Sequence, residues 1–320
     1  MNKDRKGVTN RFLFFLFKIL KRTEEFLSGR NLKKVPGVLA FYYRVAVPFG
    51  DFLYEKARVK KTVLADIQGN KMYLDTNDNS MVPKLLMDRS IEEYETELFK
   101  KAVKEGMVVV DVGANIGYYT LIAARLVGKN GFVYAFEPEP SSYNLLYKNI
   151  KENSYTNIVS VRKAISNKEE RTKFWFNKFA SPCSSLSEAN LSEKSRNRFS
   201  KKDEFIEIDA ITLDNFFEKV VKSKKIDVIK IDVQGAEGLV LEGAEEILKS
   251  NNSLKIFTEI WPDGLKSLGT DPYELLKKME GYGFEIRLIN ERRQALEHIE
   301  ITDLIKRAKT GDEFNLLLER

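Results

Sequence analysis

The sequence predicts an α/β fold in which a mostly parallel sheet carries helices on both faces. Residues 108–138, VVVDVGANIGYYTLIAARLVGKNGFVYAFEP, have the order strand, glycine turn, helix and strand. Further short apolar runs at residues 157–163, 226–231 and 254–259 alternate with helical patterns. Strands and helices that alternate in this way are typical of a nucleotide-binding parallel sheet.

The turn after the first strand has the features of a nucleoside site. Gly113 and Gly117 bracket this turn, and the absence of side chains there lets the backbone approach a ligand at the start of a helix. Glu137 follows Asp111 by 26 residues, which places a carboxylate at the tip of the neighbouring strand, where it can accept hydrogen bonds from ribose hydroxyls. The alternative is a strand–helix–strand unit with a purely structural role.

Polar residues also follow the later strands. Ile165 and Ser166 come after the third strand, where they are expected to lie beside the nucleoside base, unless they belong to an ordinary polar loop. Asp232, Glu237 and Glu259 fall at or just beyond the ends of two more strands. Each carboxylate alone could cap a helix or sit in its first turn. Because they collect at one sheet edge, we predict that they form the second side of the site.

Composition restricts the chemistry. The 320 residues can build one large α/β domain with additions. The one cysteine, Cys183, excludes an internal disulfide, and together with the one histidine, His298, it makes a His- or Cys-based metal site unexpected. We therefore expect an intracellular protein without a metal.

The basic charge of the chain is concentrated in its N-terminal extension. Residues 1–61 hold 15 Lys or Arg against 5 Asp or Glu. Two aromatic-rich apolar runs, residues 12–20 and 38–49, are shorter than the roughly 20 residues that cross a bilayer, and no cleavage site for a signal peptide follows the first run. Residues 11–50 are thus expected either to lie at a membrane interface or to form a helical cap on the domain.

The remaining pattern divides the chain into an extension (residues 1–58), a hairpin-and-helix wall (59–105) and a catalytic domain (106–320). The serine-rich residues 180–200 predict an exposed loop, either a lid or a passive insertion. The other predicted elements are a hairpin at 59–75 turning at Gly69 and Asn70, helices at 91–104, 141–153, 212–222, 237–250 and 273–280, strands at 172–177, 204–209 and 284–290, and a last apolar run at 314–318 that closes the sheet edge.

Four separate segments together resemble one known family. They are DVGANIGYYT (111–120), FEPEP (136–140), TLDNFF (212–217) and IKIDVQGAEGLVLEGA (229–244). Their order and spacing resemble the FkbM family of S-adenosylmethionine-dependent methyltransferases over residues 90–262. The resemblance implies a class I (Rossmann-like) methyltransferase fold, with a seven-stranded sheet that has one antiparallel strand near the C-terminus.

The resemblance also implies roles for individual residues. Asp111, Gly113, Asn115 and Gly117 would hold the methionine end of S-adenosylmethionine, and Glu137 would hold its ribose. At the other side of the site, Asp232 and Glu237 would border the acceptor. This chain has Gln234 where the family commonly has an acidic residue, and an amide cannot take up a proton near neutral pH.

These observations favour an enzyme that methylates oxygen. The resemblance implies a hydroxylated acceptor, such as a sugar, a glycan or a lipid-linked glycan. Our own hypothesis is that Asp232 is the base and that Glu237 or Glu259 orients the acceptor. The sequence IDVQGAE lacks the N-P-P-Y or D-P-P-Y motif of nucleic-acid amino-methyltransferases, so no nucleic-acid partner is expected. The alternative is a membrane-associated binding protein that keeps the fold without catalysis. The expected location is cytoplasmic, with peripheral membrane contact left open.

Overall fold

The computed structural model describes residues 62–78, 80–176, 185–186, 204–223 and 225–320. The predicted N-terminal extension, and most of the serine-rich segment at residues 180–200, lie outside the described residues.

The described residues form an ordered series of strands and helices. The strands are β1 Thr62–Ile67, β2 Asn70–Asp75, β3 Val108–Val112, β4 Phe132–Phe136, β5 Ile158–Val161, β6 Ala164–Ile165, β7 Glu170–Phe176, β8 Glu204–Ile211, β9 Val228–Ile231, β10 Lys255–Ile260, β11 Glu285–Asn290, β12 Ala295–His298 and β13 Phe314–Glu319. The helices are α1 Met81–Asp88, α2 Glu93–Ala102, α3 Tyr118–Val127, α4 Pro140–Glu152, α5 Leu213–Phe216 followed by a π-helical turn at Phe217–Val221, α6 Glu237–Glu242, α7 Glu245–Ser250, α8 Pro262–Ser267, α9 Pro272–Gly281 and α10 Ile301–Arg307.

The central sheet has the strand order β12-β11-β13-β10-β9-β3-β4-β5. Strands β10, β9, β3, β4 and β5 are parallel, and all four residues of β9 are buried. A strand buried throughout its length needs cover on both faces, as in an α/β fold. The predicted fold is therefore confirmed. Among the described residues, the sheet has eight strands where seven were expected, because β12 forms an antiparallel hairpin with β11 at the edge of the sheet.

The last strand lies inside the sheet and not at its edge, so that part of the prediction was wrong. β13 pairs antiparallel with β10 on one side and with β11 on the other. Its central residues Leu316, Leu317 and Leu318 are buried. A run of three adjacent leucines can fill both faces of a strand that has neighbours on both sides, whereas an edge position would leave its backbone groups unpaired.

The helix predicted at residues 237–250 is two short helices, α6 and α7, that break at Gly243 and Ala244. A side chain at Gly243 would place its Cβ 2.0 Å from the backbone oxygen of Ser166, so the chain passes too closely there for any other residue. Asp214 caps the second helix by accepting hydrogen bonds from the backbone N–H groups of Glu246 and Ile247, at 2.9 and 3.0 Å. The apolar periodicity continues across the break, which is why the sequence predicted one helix.

The segment after the third strand belongs to a second sheet. β5 ends at Val161, and β6 pairs with β8 in a three-stranded sheet of order β6-β8-β7. Consequently Ile165 lies in that smaller sheet and not at the end of a central strand. The sequence also missed helices α1, α8 and α10 and strand β12, all of which are short.

The predicted hairpin is present, with its turn one residue earlier than expected. Gln68 and Gly69 form the turn between β1 and β2, with φ angles of 50° and 78°. Positive φ at both central residues is the geometry of a type I′ turn. The hairpin is attached to α4, where the Asn149 side chain accepts a hydrogen bond of 2.6 Å from the backbone N–H of Tyr73.

Candidate functional site

A cavity of about 380 Å³ lies at the carboxyl ends of β3, β4, β9 and β10. Its volume is in the range of small-molecule sites, about 300–1,000 Å³. Of the residues predicted for the site, seven line the cavity: Asp111, Gly113, Asn115, Glu137, Ile165, Asp232 and Glu259. Three others, Gly117, Ser166 and Glu237, do not line it.

The glycine turn after β3 is required by tertiary packing. Gly113 has a φ of 81°, and a side chain there would place its Cβ 1.9 Å from the backbone oxygen of Asp232. Gly117 has a φ of 96°, and its Cβ would lie 2.7 Å from a methyl group of Leu146. Both positions therefore need glycine for the backbone angle and for space. Gly113 lets β3 and β9 end side by side, whereas Gly117 shapes the start of α3 outside the cavity.

Glu137 is a buried carboxylate held by two backbone N–H groups. Its Oε2 accepts a hydrogen bond from the N–H of Asn115, and its Oε1 accepts one from the N–H of Glu139, each at 2.8 Å. A carboxylate has about four acceptor positions, so it can accept further hydrogen bonds from a ligand in the cavity. Burial raises the pKa of Glu137 to about 8, although the two hydrogen bonds act in the opposite direction.

Asp111 is the second buried carboxylate on this side. Its Oδ2 accepts a hydrogen bond of 2.5 Å from the hydroxyl of Thr120 on α3. Burial raises the pKa of Asp111 to about 6, and the bond from Thr120 and the charge of Lys230 lower it. This carboxylate can therefore gain or lose a proton near neutral pH, depending on what occupies the cavity.

On the opposite wall, one amide group joins two carboxylates. Nε2 of Gln234 donates hydrogen bonds to Oδ1 of Asp232 at 3.2 Å and to Oε2 of Glu259 at 2.9 Å. Burial raises the pKa of Asp232, against the charge of Lys230, which lowers it. The pKa of Glu259 is raised further, well above its usual range, by burial and by the charge of Asp232. The negative charge of Asp232 therefore favours the protonated form of Glu259.

Glu237 supports the turn after β9 instead of facing the cavity. Its Oε1 accepts hydrogen bonds from the backbone N–H groups of Val233 and Gly235, at 3.3 and 3.1 Å. The side chain is fully buried, and burial raises its pKa to about 7. Ser166 likewise has a structural contact, because its backbone N–H donates to the backbone oxygen of Ile211.

A buried ion pair beside Asp232 was not predicted. Nζ of Lys230 lies 2.9 Å from Oε1 of Glu95 and 5.1 Å from the centre of the Tyr119 ring. Lys230 is a lone lysine in the apolar strand IDVIKI, two residues before Asp232 and therefore on the same face, a signal that sequence reasoning could have used. Glu95, on α2, gave no such signal because it is distant in sequence.

Other cavity residues come from loops and from the second sheet. Phe174 and Leu186 add an apolar wall near Ile165. Leu186 lies within the serine-rich segment, so the described part of that segment contributes to the site. Charged side chains complete the lining, namely Lys84, Glu92, Lys163, Lys230 and Glu313. No local pattern indicated the loop residues, since only the folding of distant segments brings them to the cavity.

Within residues 62–320, apart from the gaps stated above, no group of three or more His, Cys, Asp or Glu side chains is arranged to hold a metal ion. In the same residues, no helix is both long enough and apolar enough to cross a membrane.

Comparison with known proteins gives one match to a family and several partial similarities. The family described as "Methyltransferase FkbM domain" matches residues 111–286. "Methyltransferase 1" of Beauveria bassiana is 22% identical over 146 residues, 43% of this chain and 58% of that protein. A "Protein-L-isoaspartate O-methyltransferase" of Methanococcoides burtonii is 34% identical over 59 residues, 18% of this chain and 29% of that protein. The chain thus spans less than two thirds of either relative.

Among solved structures, TYW2 of M. jannaschii in complex with AdoMet has a TM-score of 0.43 and 18% sequence identity, and the alignment covers 82% of this chain and 88% of that one.

Proposed function

Because the family match extends over more than half of its length, the chain belongs to the FkbM methyltransferase family, and we propose that it methylates a hydroxyl of a sugar, a glycolipid or a similar hydroxylated metabolite. The family match confirms the resemblance seen in the sequence, and with it the class of cofactor, S-adenosylmethionine. The acceptor and the oxygen-directed chemistry are the proposed part.

The residues at the ends of β3 and β4 fit this cofactor. Glu137 keeps acceptor capacity for ribose hydroxyls, and Ile165 belongs to an apolar wall suited to a base. Asp111, Gly113 and Asn115 would hold the amino-acid end. When bound, the cofactor supplies a methyl group that is activated by a positively charged sulfur.

The observation that supports hydroxyl methylation best is the pair of carboxylates on the opposite wall. Oxygen becomes a good methyl acceptor when its proton leaves, and a positioned carboxylate that takes this proton contributes roughly 10²- to 10⁴-fold to the rate. Asp232 lines the cavity, and its charge favours the protonated form of its neighbour Glu259, so Asp232 is our choice for the base. Glu259, which holds its proton more tightly, would donate a hydrogen bond that orients the acceptor.

The first experiment identifies the product. The purified protein is incubated with S-adenosylmethionine that carries a deuterated methyl group, together with glycan and lipid extracts, and the extracts are analysed by mass spectrometry. We expect labelled methyl ethers of hydroxyl groups. If calorimetry detects no binding of S-adenosylmethionine, the proposal fails altogether. If the cofactor binds and the label appears only on nitrogen or carbon, the choice of oxygen is wrong.

The second experiment tests the base. Asp232→Asn should lower turnover by about 10²-fold or more while the dissociation constant of S-adenosylhomocysteine stays within a few-fold. The matched control is Asp303→Asn, which alters an exposed carboxylate on α10 that pairs with Arg307 at 3.7 Å, and should leave both quantities unchanged. Nearly full turnover of Asp232→Asn would remove Asp232 from the mechanism.

We also propose peripheral membrane contact through residues 11–50, on the strength of their basic and aromatic sequence. Deletion of residues 1–50 should abolish sedimentation of the protein with vesicles that contain anionic lipid. Equal sedimentation of the full chain and the shortened chain would refute this part of the proposal.

A further inference from the structure

Gln234 occupies the position at which this chain departs from the acidic residue common in its family. Its side-chain nitrogen donates one hydrogen bond to Asp232 and one to Glu259, so both hydrogens of the amide can be used within the site. Because both acceptor oxygens lie within hydrogen-bond distance of one nitrogen, the two carboxylates are neighbours. Two buried neighbouring carboxylates repel each other unless one of them is protonated.

The backbone of Gln234 is held in an uncommon conformation. Its φ is 52°, in the left-handed region that non-glycine residues adopt rarely. The hydroxyl of Ser185 donates a hydrogen bond of 2.8 Å to the backbone oxygen of Gln234. On both sides of the residue, Val233 and Gly235 donate their N–H groups to the buried carboxylate of Glu237. These contacts aim the amide at the two carboxylates.

We propose that Gln234 is a positioning residue that holds Asp232 and Glu259 side by side without adding a third negative charge, so that the pair shares one proton and Asp232 remains the proton acceptor. This inference rests on the proposed function, in which Asp232 is the base. It assigns to the amide a role that a carboxylate at the same position could not fill.

The charges around the pair agree with this assignment. The positive charge of Lys230 lowers the pKa of both Asp232 and Glu259. Glu92, from the segment before α2, raises the pKa of both carboxylates, and Glu313, from the segment before β13, raises that of Glu259. The hydrogen bond from Gln234 acts with Lys230 and lowers the pKa of Asp232.

Two substitutions separate the charge of the side chain from its hydrogen bonds. Gln234→Glu adds a third carboxylate, and Gln234→Met removes the amide without adding charge. Both new side chains are unbranched, so the backbone conformation is equally unfavourable in all three proteins. Each substitution should raise the pH at which Asp232 loses its proton, by about one pH unit or more for Gln234→Glu and by less for Gln234→Met.

Gln294 provides a matched control. It also has a left-handed backbone, with a φ of 49°, but it lies exposed in the turn between β11 and β12. Gln294→Glu and Gln294→Met repeat the same chemical changes on the same backbone geometry away from the cavity. Neither should alter the titration of Asp232.

The measurement is infrared difference spectroscopy across a pH titration, on protein that carries ¹³C-labelled carboxyl groups and no cofactor. The bands of the protonated carboxyl groups are assigned to Asp232 and Glu259 with the help of their Asn and Gln variants. In both Gln234 variants, the midpoint pH at which these bands disappear should be higher than in the wild type. The pH profile of turnover, measured separately, should move on its acid side by the same amount. A merely structural residue would lower the unfolding temperature and leave the midpoints in place.

The two measurements distinguish failure of this inference from failure of the proposed function. A shift of the carboxyl titration supports the inference, even where no acceptor is methylated and the proposed function fails. If hydroxyl groups are methylated while both Gln234 variants keep the wild-type carboxyl titration and pH profile, the inference is overturned and the proposed function stands. Midpoints that move equally in the Gln294 variants would also overturn it.

Discussion

Replacement of Lys230 by methionine should be among the most destabilising changes in this protein. The side chains of Lys230 and Glu95 are 2% and 0% exposed, and their charged atoms lie 2.9 Å apart. Removal of one partner from a buried ion pair leaves the other charge uncompensated, at a cost of about 3–5 kcal/mol. In a domain of this size each kcal/mol corresponds to about 2–4 °C, so we expect the unfolding temperature to fall by on the order of 10 °C.

The same ion pair predicts that a variant lacking both charges regains stability. Lys230→Met combined with Glu95→Leu removes both charges, and an apolar pair of similar volume should restore most of the lost free energy of unfolding. The control is Lys100→Met, because Lys100 pairs with a half-exposed Glu97 at 2.7 Å, and this change should cost under about 1 kcal/mol. The assay is thermal and urea unfolding of all four proteins. Equal loss in Lys230→Met and Lys100→Met, or no recovery in the double variant, would refute the reasoning.

Three further predictions concern packing, ionisation and capping. Gly243→Ala should cost about 2 kcal/mol or more of unfolding free energy because its Cβ would meet the backbone oxygen of Ser166, whereas Gly281→Ala, with open space around it, should be neutral or slightly stabilising in urea unfolding. Burial raises the pKa of Glu137 from its ordinary value of 4.5 to about 8, so the stability contributed by its protonated form is complete below about pH 4.5 and is lost as the pH rises through 8. Between about pH 4.5 and 8, the free energy of unfolding of the wild type should therefore fall relative to that of Glu137→Gln, as measured by chemical unfolding. A difference between the two proteins that stays constant with pH would contradict this. Asp214→Ala should cost about 1 kcal/mol by thermal unfolding, because two backbone N–H groups of α7 lose their cap, and no change would argue against that cap.

The sequence predicted the central elements well where the local pattern and the tertiary environment agree. The strands at residues 108–112, 132–136 and 228–231 are short apolar runs with a polar residue within them or directly after them, and each lies inside the parallel sheet. Two predictions, one of a continuous helix and one of an edge strand, were wrong because they depend on tertiary contacts. The break at Gly243 depends on the close passage of another segment, and the place of β13 between β10 and β11 depends on pairing that the sequence of one strand does not specify.

Local sequence pattern was enough to locate the residues near the ends of neighbouring strands, because hydrophobic periodicity and glycine turns are local properties, and parallel strands bring their carboxyl ends to one edge. Asp111, Glu137 and Asp232 were located in this way. The contacts of each side chain depend on the packing of separate elements: Glu237 accepts hydrogen bonds from its own loop, and Gln234 donates to Asp232 and to Glu259, which lies 25 residues after Gln234. The physical reason is that hydrogen bonds and buried charges depend on distances of a few ångströms between packed elements, which no local pattern specifies.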